Sequence, residues 1–208
     1  MFLKNHKAIR PSLEHLLKND KHFKKFFTLD EIDAIPHTHR KVSFESFART
    51  IVGQQLSVKA AATIWSRVEL LADPFTPEKV LKVSDKDLRA AGLSFQKIKY
   101  LRGLSEAVAA KHFDPAKLKK LSDEEVIEAI TALHGFGRWS AEMVLMFALA
   151  RPDVFSGGDL GLREGIRRVL KLEERPTEKE SVKLAERWAG HRTAASLLLW
   201  QANHKSMK

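Results

Sequence analysis

An acidic residue between a glycine pair and a helical segment is the strongest candidate for chemistry in this chain. Asp159 follows Gly157 and Gly158, and the residues after it carry apolar side chains three or four positions apart, as on one helical face. This predicts that Asp159 is the N-cap of a helix, where backbone N–H groups and the helix dipole stabilise a carboxylate. A fixed anion of this kind stabilises developing positive charge and can orient or deprotonate water. Because N-cap acids are also common structural features, position alone does not separate catalysis from capping.

A glycine-containing turn precedes this acid by one helix. Gly135 and Gly137 lie in LHGFG (133–137), between two amphipathic segments, so we expect a helix–hairpin–helix at about 123–148. In such a turn the missing Cβ permits positive φ at both glycines and lets a phosphate approach the backbone. The predicted phosphate ligands are the N–H groups of these two glycines, the side chains of Arg138 and Ser140, and, as further contacts, those of Lys97 and Lys99.

Helical periodicity extends along almost the whole chain, and alternation with period two is hard to find. Ser57 is placed to cap one helix, and Ser122 with Glu125 three residues later is typical of a capping box. Thr-Pro at 76–77 and Arg-Pro-Thr at 175–177 mark further helix starts. The sequence therefore predicts an all-α fold of roughly ten short helices.

Composition narrows the classes of partner and site. The 36 Lys and Arg residues against 26 Asp and Glu give a net charge of +10, which favours a polyanionic partner such as nucleic acid or an anionic membrane. The lack of cysteine excludes disulfides, thiol nucleophiles and Cys-ligated zinc or iron–sulfur sites. The histidines, including His37 and His39, lack an accompanying ligand set, so no metal site built from side chains is expected. With no signal-peptide core or membrane-length apolar run, we expect a soluble, intracellular protein that has no membrane partner.

Three segments, taken in order, resemble the helix–hairpin–helix DNA glycosylases. FESFARTIVGQQLSVKAAATIW (44–65) resembles the family's helix, wedge loop and helix, and WAGHRTAASLLLW (188–200) resembles its C-terminal helix. Between them, residues 133–162 resemble the hairpin, the apolar helix and the loop that delivers a catalytic Asp, here Asp159. Within the family the likeness is greatest to the alkylation-repair branch, 3-methyladenine DNA glycosylase II. Because only a short segment precedes Phe44, the chain resembles the compact form, which lacks an N-terminal sheet domain.

The resemblance implies one glycosylase domain of two helical lobes, about 1–41 with 150–208 and about 42–149, with a DNA- and base-binding cleft at their junction. It implies that Asp159 stabilises the positive charge that builds on the sugar as the glycosidic bond breaks. Trp139 stands where bifunctional members carry the lysine that attacks the sugar. Since tryptophan cannot form a Schiff base, we expect hydrolysis to an abasic site without strand cleavage.

The resemblance also implies a pocket for the flipped base. Trp139 and Trp200 match the family's pocket aromatics, and stacking on a positively charged alkylpurine gains a cation–π contribution. Met143 and Phe44 are the other pocket candidates. Because Met143 and Gln201 stand where some members have tyrosines, the substrate range is left open.

A wedge and a cation are implied as well. In the turn Gln54-Gln55-Leu56-Ser57, we expect Gln55 to fill the gap left by the extruded nucleotide, with Gln54 and Leu56 as alternatives. An ordinary polar turn is the simpler interpretation of these residues.

Family hairpins can also hold a monovalent cation on main-chain carbonyls, which leaves no side-chain signature.

The predicted function is therefore a monomeric, monofunctional DNA glycosylase that excises alkylated purines, chiefly 3-methyladenine and 7-methylguanine, from double-stranded DNA and so initiates base excision repair. One alternative is a glycosylase for deaminated, mismatched or oxidised bases, of which the oxidised class is disfavoured by the lack of a lysine at Trp139. Another is a non-catalytic helix–hairpin–helix binding module, against which Asp159 and the paired tryptophans argue.

Overall fold

The computed structural model describes residues 6–35 and 41–205, and in these ranges the chain is helical with no β-strand. The α-helices are α1 (His6–Asn19), α2 (Lys21–Phe26), α3 (Leu29–Asp33), α4 (Phe44–Gly53), α5 (Val58–Leu71), α6 (Pro77–Lys82), α7 (Asp85–Ala90), α8 (Phe95–Ala109), α9 (Asp123–Thr131), α10 (Arg138–Phe147), α11 (Leu160–Leu170), α12 (Glu178–Ala185) and α13 (Arg192–Ala202). Two 3-10 segments lie at Pro115–Lys120 and Glu186–Trp188. The all-α prediction is confirmed. There are more helices than expected because several, such as α3 with 5 residues, are too short to show a periodicity.

The predicted helix starts are confirmed by their hydrogen bonds. The Ser57 side chain accepts from the N–H of Ala60 and begins α5. Ser122 and Glu125 form both bonds of a capping box at α9. α9 and α10 then flank the hairpin, as predicted for residues 123–148. None of the helices in the described part of the chain combines the length and apolar character needed to cross a membrane.

The chain divides into two compact units, Met1–His39 with Glu142–Lys208, and Arg40–Ala141. The sequence placed the second boundary near residue 150, whereas the division lies inside α10. The reason is local packing within the first unit. The Ser156 hydroxyl donates to the buried carboxylate of Glu142, and the Phe147 ring stacks on Trp200 with centroids 5.9 Å apart. The C-terminal half of α10 thereby belongs with the segments that follow it.

A buried carboxylate connects two distant segments of the first unit. Trp188 is fully buried, and its Nε1 donates to Asp20 Oδ2 at 2.9 Å, while Asp20 also caps α2 by accepting from the N–H of His22. Arg187 lies 3.2 Å from the same carboxylate. Burial alone would raise the pKa of Asp20, but these donors together hold that pKa below its ordinary value. A charged Asp20 therefore joins segments that are far apart in sequence.

Two glycines let α11 and α13 approach within backbone contact. A Cβ on Gly165 would lie 2.4 Å from the carbonyl oxygen of Leu199 and 2.7 Å from its carbonyl carbon, closer than real Cβ atoms come. Gly161 lies one helical turn earlier, on the same face of α11. This close packing brings Trp200, near the end of α13, to the beginning of α11.

An aromatic cluster anchors the hairpin in the core of the second unit. Phe136, between the two hairpin glycines, is buried and packs its ring edge against Phe47 of α4 with centroids 5.5 Å apart. Phe113 makes a similar edge contact with Phe47 at 5.1 Å. The turn that carries Gly135 and Gly137 is therefore held to α4 by an apolar side chain.

Gly165→Ala is expected to lower the free energy of unfolding by about 1–3 kcal/mol, because its methyl group would collide with backbone that has no rotamer to change. Gly103→Ala is the matched control, since Gly103 lies inside α8 with open space where a Cβ would be. That change should be neutral or should stabilise by about 0.5–1 kcal/mol. Chemical denaturation of both variants measures the difference, and a Gly165→Ala protein as stable as the parent would contradict the packing argument.

Candidate functional site

Asp159 begins α11 with extended backbone angles, φ −70° and ψ 118°. Its Oδ1 accepts two hydrogen bonds, one from the N–H of Leu162 at 2.8 Å and one from the indole Nε1 of Trp200 at 3.0 Å. The first bond confirms the predicted N-cap. The second comes from another helix, so both the helix start and α13 fix the direction of the half-buried carboxylate.

Gly161 makes room for this arrangement. A Cβ on Gly161 would lie 3.0 Å from Trp200 Cδ1 and 3.1 Å from Asp159 Oδ1, in the space between the two partners. Asn203 Nδ2 donates to the carbonyl oxygen of Gly161 at 2.8 Å and holds the same turn from the C-terminal side. Sequence reasoning missed both residues. The signal for Gly161 was its spacing of four residues from Gly165 within a helical stripe, which allows close packing of a second helix.

The loop before Asp159 is fixed by buried polar and steric contacts. Ser156 is fully buried, its hydroxyl donates to Glu142, and its carbonyl accepts from the N–H of Asp159 at 3.1 Å. A Cβ on Gly157 would lie 2.5 Å from Val182 Cγ2 of α12, so this position too depends on the missing side chain. Sequence reasoning missed Glu142 because it interpreted the segment as an apolar helix. The signal that could have revealed it was a single carboxylate among apolar residues. A carboxylate held this firmly needs little reorganisation when charge develops near it.

The predicted pocket residues are distributed over both units. In the first unit, Trp200 is half-buried between its bond to Asp159 and its stack on Phe147, and Met143 is half-buried on α10. In the second unit, Trp139 is 51% exposed at the start of α10, which is unusual for a large aromatic side chain whose role is core packing. The pocket roles of these three residues stay predictions.

Phe44 has a different environment. Its ring stacks on Phe75 with centroids 5.4 Å apart and an interplanar angle of 21°, and Phe75 packs in turn on Trp65 at 4.8 Å. These contacts lie within the second unit and favour a packing role. A contact between Phe44 and a flipped base stays a prediction.

The predicted wedge loop separates into one fixed residue and two exposed ones. Gln54 is the C-cap of α4, and its Nε2 donates to the carbonyl oxygen of Gly135 at 2.8 Å. Gln55 follows in the left-handed region at φ 56°, and both its side chain and that of Leu56 are exposed. The exposed pair forms the tip of the loop, so the wedge prediction is better carried by Gln55 or Leu56 than by Gln54.

The two hairpin glycines differ in conformation. Gly135 has φ +92°, as predicted, and a Cβ there would enter the ring of Tyr100. Gly137 lies outside the left-handed region, so the prediction of positive φ at this residue is wrong. Its carbonyl accepts from the N–H of Ala141, which places Gly137 at the start of α10. A residue at the start of a helix does not need a positive φ. A Cβ on Gly137 would meet nothing within 4 Å, and that open backbone is where a phosphate could approach.

The side chains expected to assist the hairpin also differ in placement. Arg138 is exposed and Ser140 is half-buried in the first turn of α10, which leaves their predicted phosphate roles open to test. Lys99 is exposed on α8. Lys97 instead donates to the carbonyl oxygens of Val52 and Gln54, both at 2.8 Å, so its ammonium is directed at protein backbone.

Within residues 6–35 and 41–205, no group of three or more His, Cys, Asp or Glu side chains is placed to hold a metal ion. His37 and His39, which the sequence reasoning considered, lie outside the described residues.

Comparison with known proteins gives concordant results. The HhH-GPD superfamily of base excision DNA repair proteins matches residues 48–190. DNA-3-methyladenine glycosylase 1 of Schizosaccharomyces pombe is 36% identical over 169 residues, which cover 79% of this chain and 74% of the relative.

Two solved structures are similar in fold. The DNA-3-methyladenine glycosidase of Bacillus halodurans has 36% identity and a TM-score of 0.80, covering 92% of this chain and 88% of its own. The 3-methyladenine DNA glycosylase of S. pombe in complex with abasic DNA has 31% identity and a TM-score of 0.73, covering 94% and 98%.

Trp200→Phe is expected to slow single-turnover base release by roughly 10-fold or more, because a hydrogen bond to a charged group contributes about 1.5–3 kcal/mol. The variant removes the indole N–H from Asp159 and retains a ring that can stack on Phe147. Phe147→Leu is the control, since it disturbs the stack and leaves the N–H in place. An unchanged rate in Trp200→Phe would show that the indole bond does not contribute to the chemistry.

Proposed function

Because this chain belongs to the HhH-GPD superfamily of base excision DNA repair proteins, we infer that it is a monofunctional DNA glycosylase that excises alkylated purines, chiefly 3-methyladenine and 7-methylguanine, from duplex DNA. The observation that carries this inference is Asp159, a carboxylate fixed at a helix start by the N–H of Leu162 and the indole of Trp200. It follows the hairpin in the family's order, which a binding module without chemistry does not require.

The reaction is hydrolysis of the bond between the sugar C1′ and the purine nitrogen. As that bond breaks, the base leaves with the electron pair and positive charge builds on the sugar. Asp159 is the anion that stabilises this charge, and its carboxylate orients the attacking water or accepts a proton from it. The rigid loop and the donors to Oδ1 keep the carboxylate in place through the step.

Trp139 supports the monofunctional assignment. It occupies the hairpin position at which a lysine would attack the sugar, and an indole has no nucleophilic amine. The residue is 51% exposed, and the accessible part of its indole is proposed to stack on an extruded, positively charged alkylpurine through a cation–π interaction.

Double-stranded DNA is the partner that this chemistry predicts, and the net charge of +10 favours it. We propose that the chain binds it as a monomer inside the cell, through the open backbone at Gly137 with Arg138 and Ser140.

A monovalent cation on hairpin carbonyls is also proposed. Replacing K⁺ by tetramethylammonium at constant ionic strength should then weaken DNA binding.

Asp159→Asn should keep the capping bond and the side-chain shape while losing the charge. We expect single-turnover release of 3-methyladenine and 7-methylguanine to fall roughly 100- to 1000-fold, as for loss of one preorganised electrostatic group. Melting temperature and DNA affinity should stay near those of the parent. Asp30→Asn is the matched control, since Asp30 is an exposed acid of α3 in the same unit. A folded, DNA-binding Asp159→Asn protein with full excision rates would leave this residue with capping alone.

Borohydride is expected to trap no covalent adduct between this protein and alkylated DNA, because Trp139 supplies no amine for a Schiff base. Strand breaks should appear only after alkali or heat converts the abasic product. The measurement is gel analysis of an end-labelled duplex, with and without alkali, beside a bifunctional glycosylase as the positive control. A trapped adduct would contradict the monofunctional assignment.

A further inference from the structure

Lys97 lies on α8, and its ammonium caps the C-terminal end of α4. Nζ donates to the carbonyl oxygens of Val52 and Gln54, residues 45 and 43 positions away in sequence. Carbonyls at this end of a helix lack intrahelical donors and carry the negative end of the helix dipole, so a cation there is stabilising. Burial lowers the pKa of Lys97, as expected for an ammonium that is partly withdrawn from water. These contacts distinguish Lys97 from an ordinary surface lysine.

Gln54 connects the same loop to the hairpin. Its side chain donates from Nε2 to the carbonyl oxygen of Gly135, 81 positions away, at 2.8 Å, while its own carbonyl accepts from Lys97. Gln54 is therefore held at both its backbone and its side chain. Since Gly135 has φ +92°, the direction of the carbonyl that Gln54 binds is set by the hairpin conformation itself.

Tyr100 supports the hairpin from the same face of α8. It lies one turn after Lys97, and a Cβ on Gly135 would come within 2.4 Å of its ring, so the ring and the hairpin backbone are in close contact. One helix thus contacts both turns: Lys97 holds the loop after α4, and Tyr100 backs the hairpin. The bond from Gln54 to Gly135 closes the connection between them.

We infer that Lys97 is a positioning residue for DNA-base extrusion: together with Gln54, it fixes the exposed tip Gln55–Leu56 relative to the phosphate-binding hairpin. This inference rests on the proposed function. Gln55 and Leu56 directly follow Gln54. The left-handed conformation of Gln55, at φ 56°, is one that the residue would readily leave if the loop were not held. While Lys97 and Gln54 make these bonds, a hairpin bound to a phosphate presents the tip at a defined distance along the duplex. Without them, the tip must be ordered during extrusion.

This role predicts a dependence on base pairing. A wedge offsets the cost of unstacking and unpairing, and that cost is smaller for a mismatched base. Lys97→Met retains the length of the side chain but cannot donate to the carbonyls. It should slow single-turnover excision of 7-methylguanine paired with cytosine by roughly 10-fold, while the same lesion in a mismatch loses roughly 3-fold or less. Lys86→Met, at an exposed lysine of α7 in the same unit, is the charge-matched control and should leave the ratio of the two rates unchanged.

A double variant separates positioning from other roles. If Lys97 acts through the tip, Lys97→Met combined with Gln55→Ala should have the same paired-to-mismatched ratio as Gln55→Ala alone. A phosphate contact would instead lower both rates equally and reduce the salt dependence of binding by about one counterion. A purely structural defect would lower both rates equally together with the melting temperature. Equal losses for the paired and the mismatched lesion would therefore overturn the inference.

If Lys97→Met does not fold, Gln54→Met, which removes the bond to Gly135, must show the same pairing dependence.

Extrusion is also measured without excision, so that failure of the inference is distinguishable from failure of the proposed function. A duplex with 2-aminopurine at the target position increases in fluorescence when the base is unstacked. Wild-type protein should produce this increase and Lys97→Met should produce much less at saturating protein. If the wild type excises no alkylated base yet shows the Lys97-dependent increase, the proposed function fails and the positioning role stands. Equal fluorescence in both proteins would refute the positioning role whatever the excision rates.

Discussion

The close approach of α11 and α13 is the constraint on which the position of Asp159, the proposed catalytic carboxylate, depends. Gly165 allows the backbone of Leu199 to touch α11, and Gly161 leaves the space that the Trp200 indole occupies beside Asp159. A larger side chain at either glycine would separate the helices or displace the indole. The indole donor to Asp159 is therefore in place because two side chains are missing, whereas the bond from the N–H of Leu162 is local to the start of α11. Since the alignment of both donors is established by folding, a carboxylate that acts as proposed needs little reorganisation when charge develops on the sugar.

Local chemistry accounts for what the sequence predicts well. An N-cap requires one acceptor side chain and the N–H three residues later, so Asp159, Ser57 and the Ser122 capping box could all be predicted from neighbouring residues. The all-α fold follows from periodicity in the same way. Gly137 shows the limit of local patterns. A Gly-x-Gly turn indicates a need for small residues, but whether a glycine supplies positive φ or open backbone depends on its surroundings.

The contacts that could not be predicted are those between segments distant in sequence. A lysine looks the same in a sequence whether its ammonium is in solvent or, like that of Lys97, donates to two backbone carbonyls. Gln54 has the sequence context of a wedge residue, but its amide donates to the carbonyl of Gly135, 81 positions away. Glu142 likewise interrupts an apolar helix with no local sign that Ser156 is its partner. Each is a buried or half-buried polar group whose partner only the tertiary fold supplies, as such groups require.

The same principle operates in each unit: a backbone segment with a constrained conformation is held by side chains from another helix. In the first unit Trp200 and Asn203, at the end of α13, hold the turn at 159–161, and in the second Lys97 of α8 holds the loop after α4, whose Gln54 bonds in turn to the hairpin. This matters for how such a protein distinguishes damage. A net charge of +10 attracts any duplex and carries no information about its bases. Under the roles proposed for Asp159 and Lys97, selection arises at extrusion and in the chemical step, and both steps depend on preset geometry more than on the strength of DNA binding.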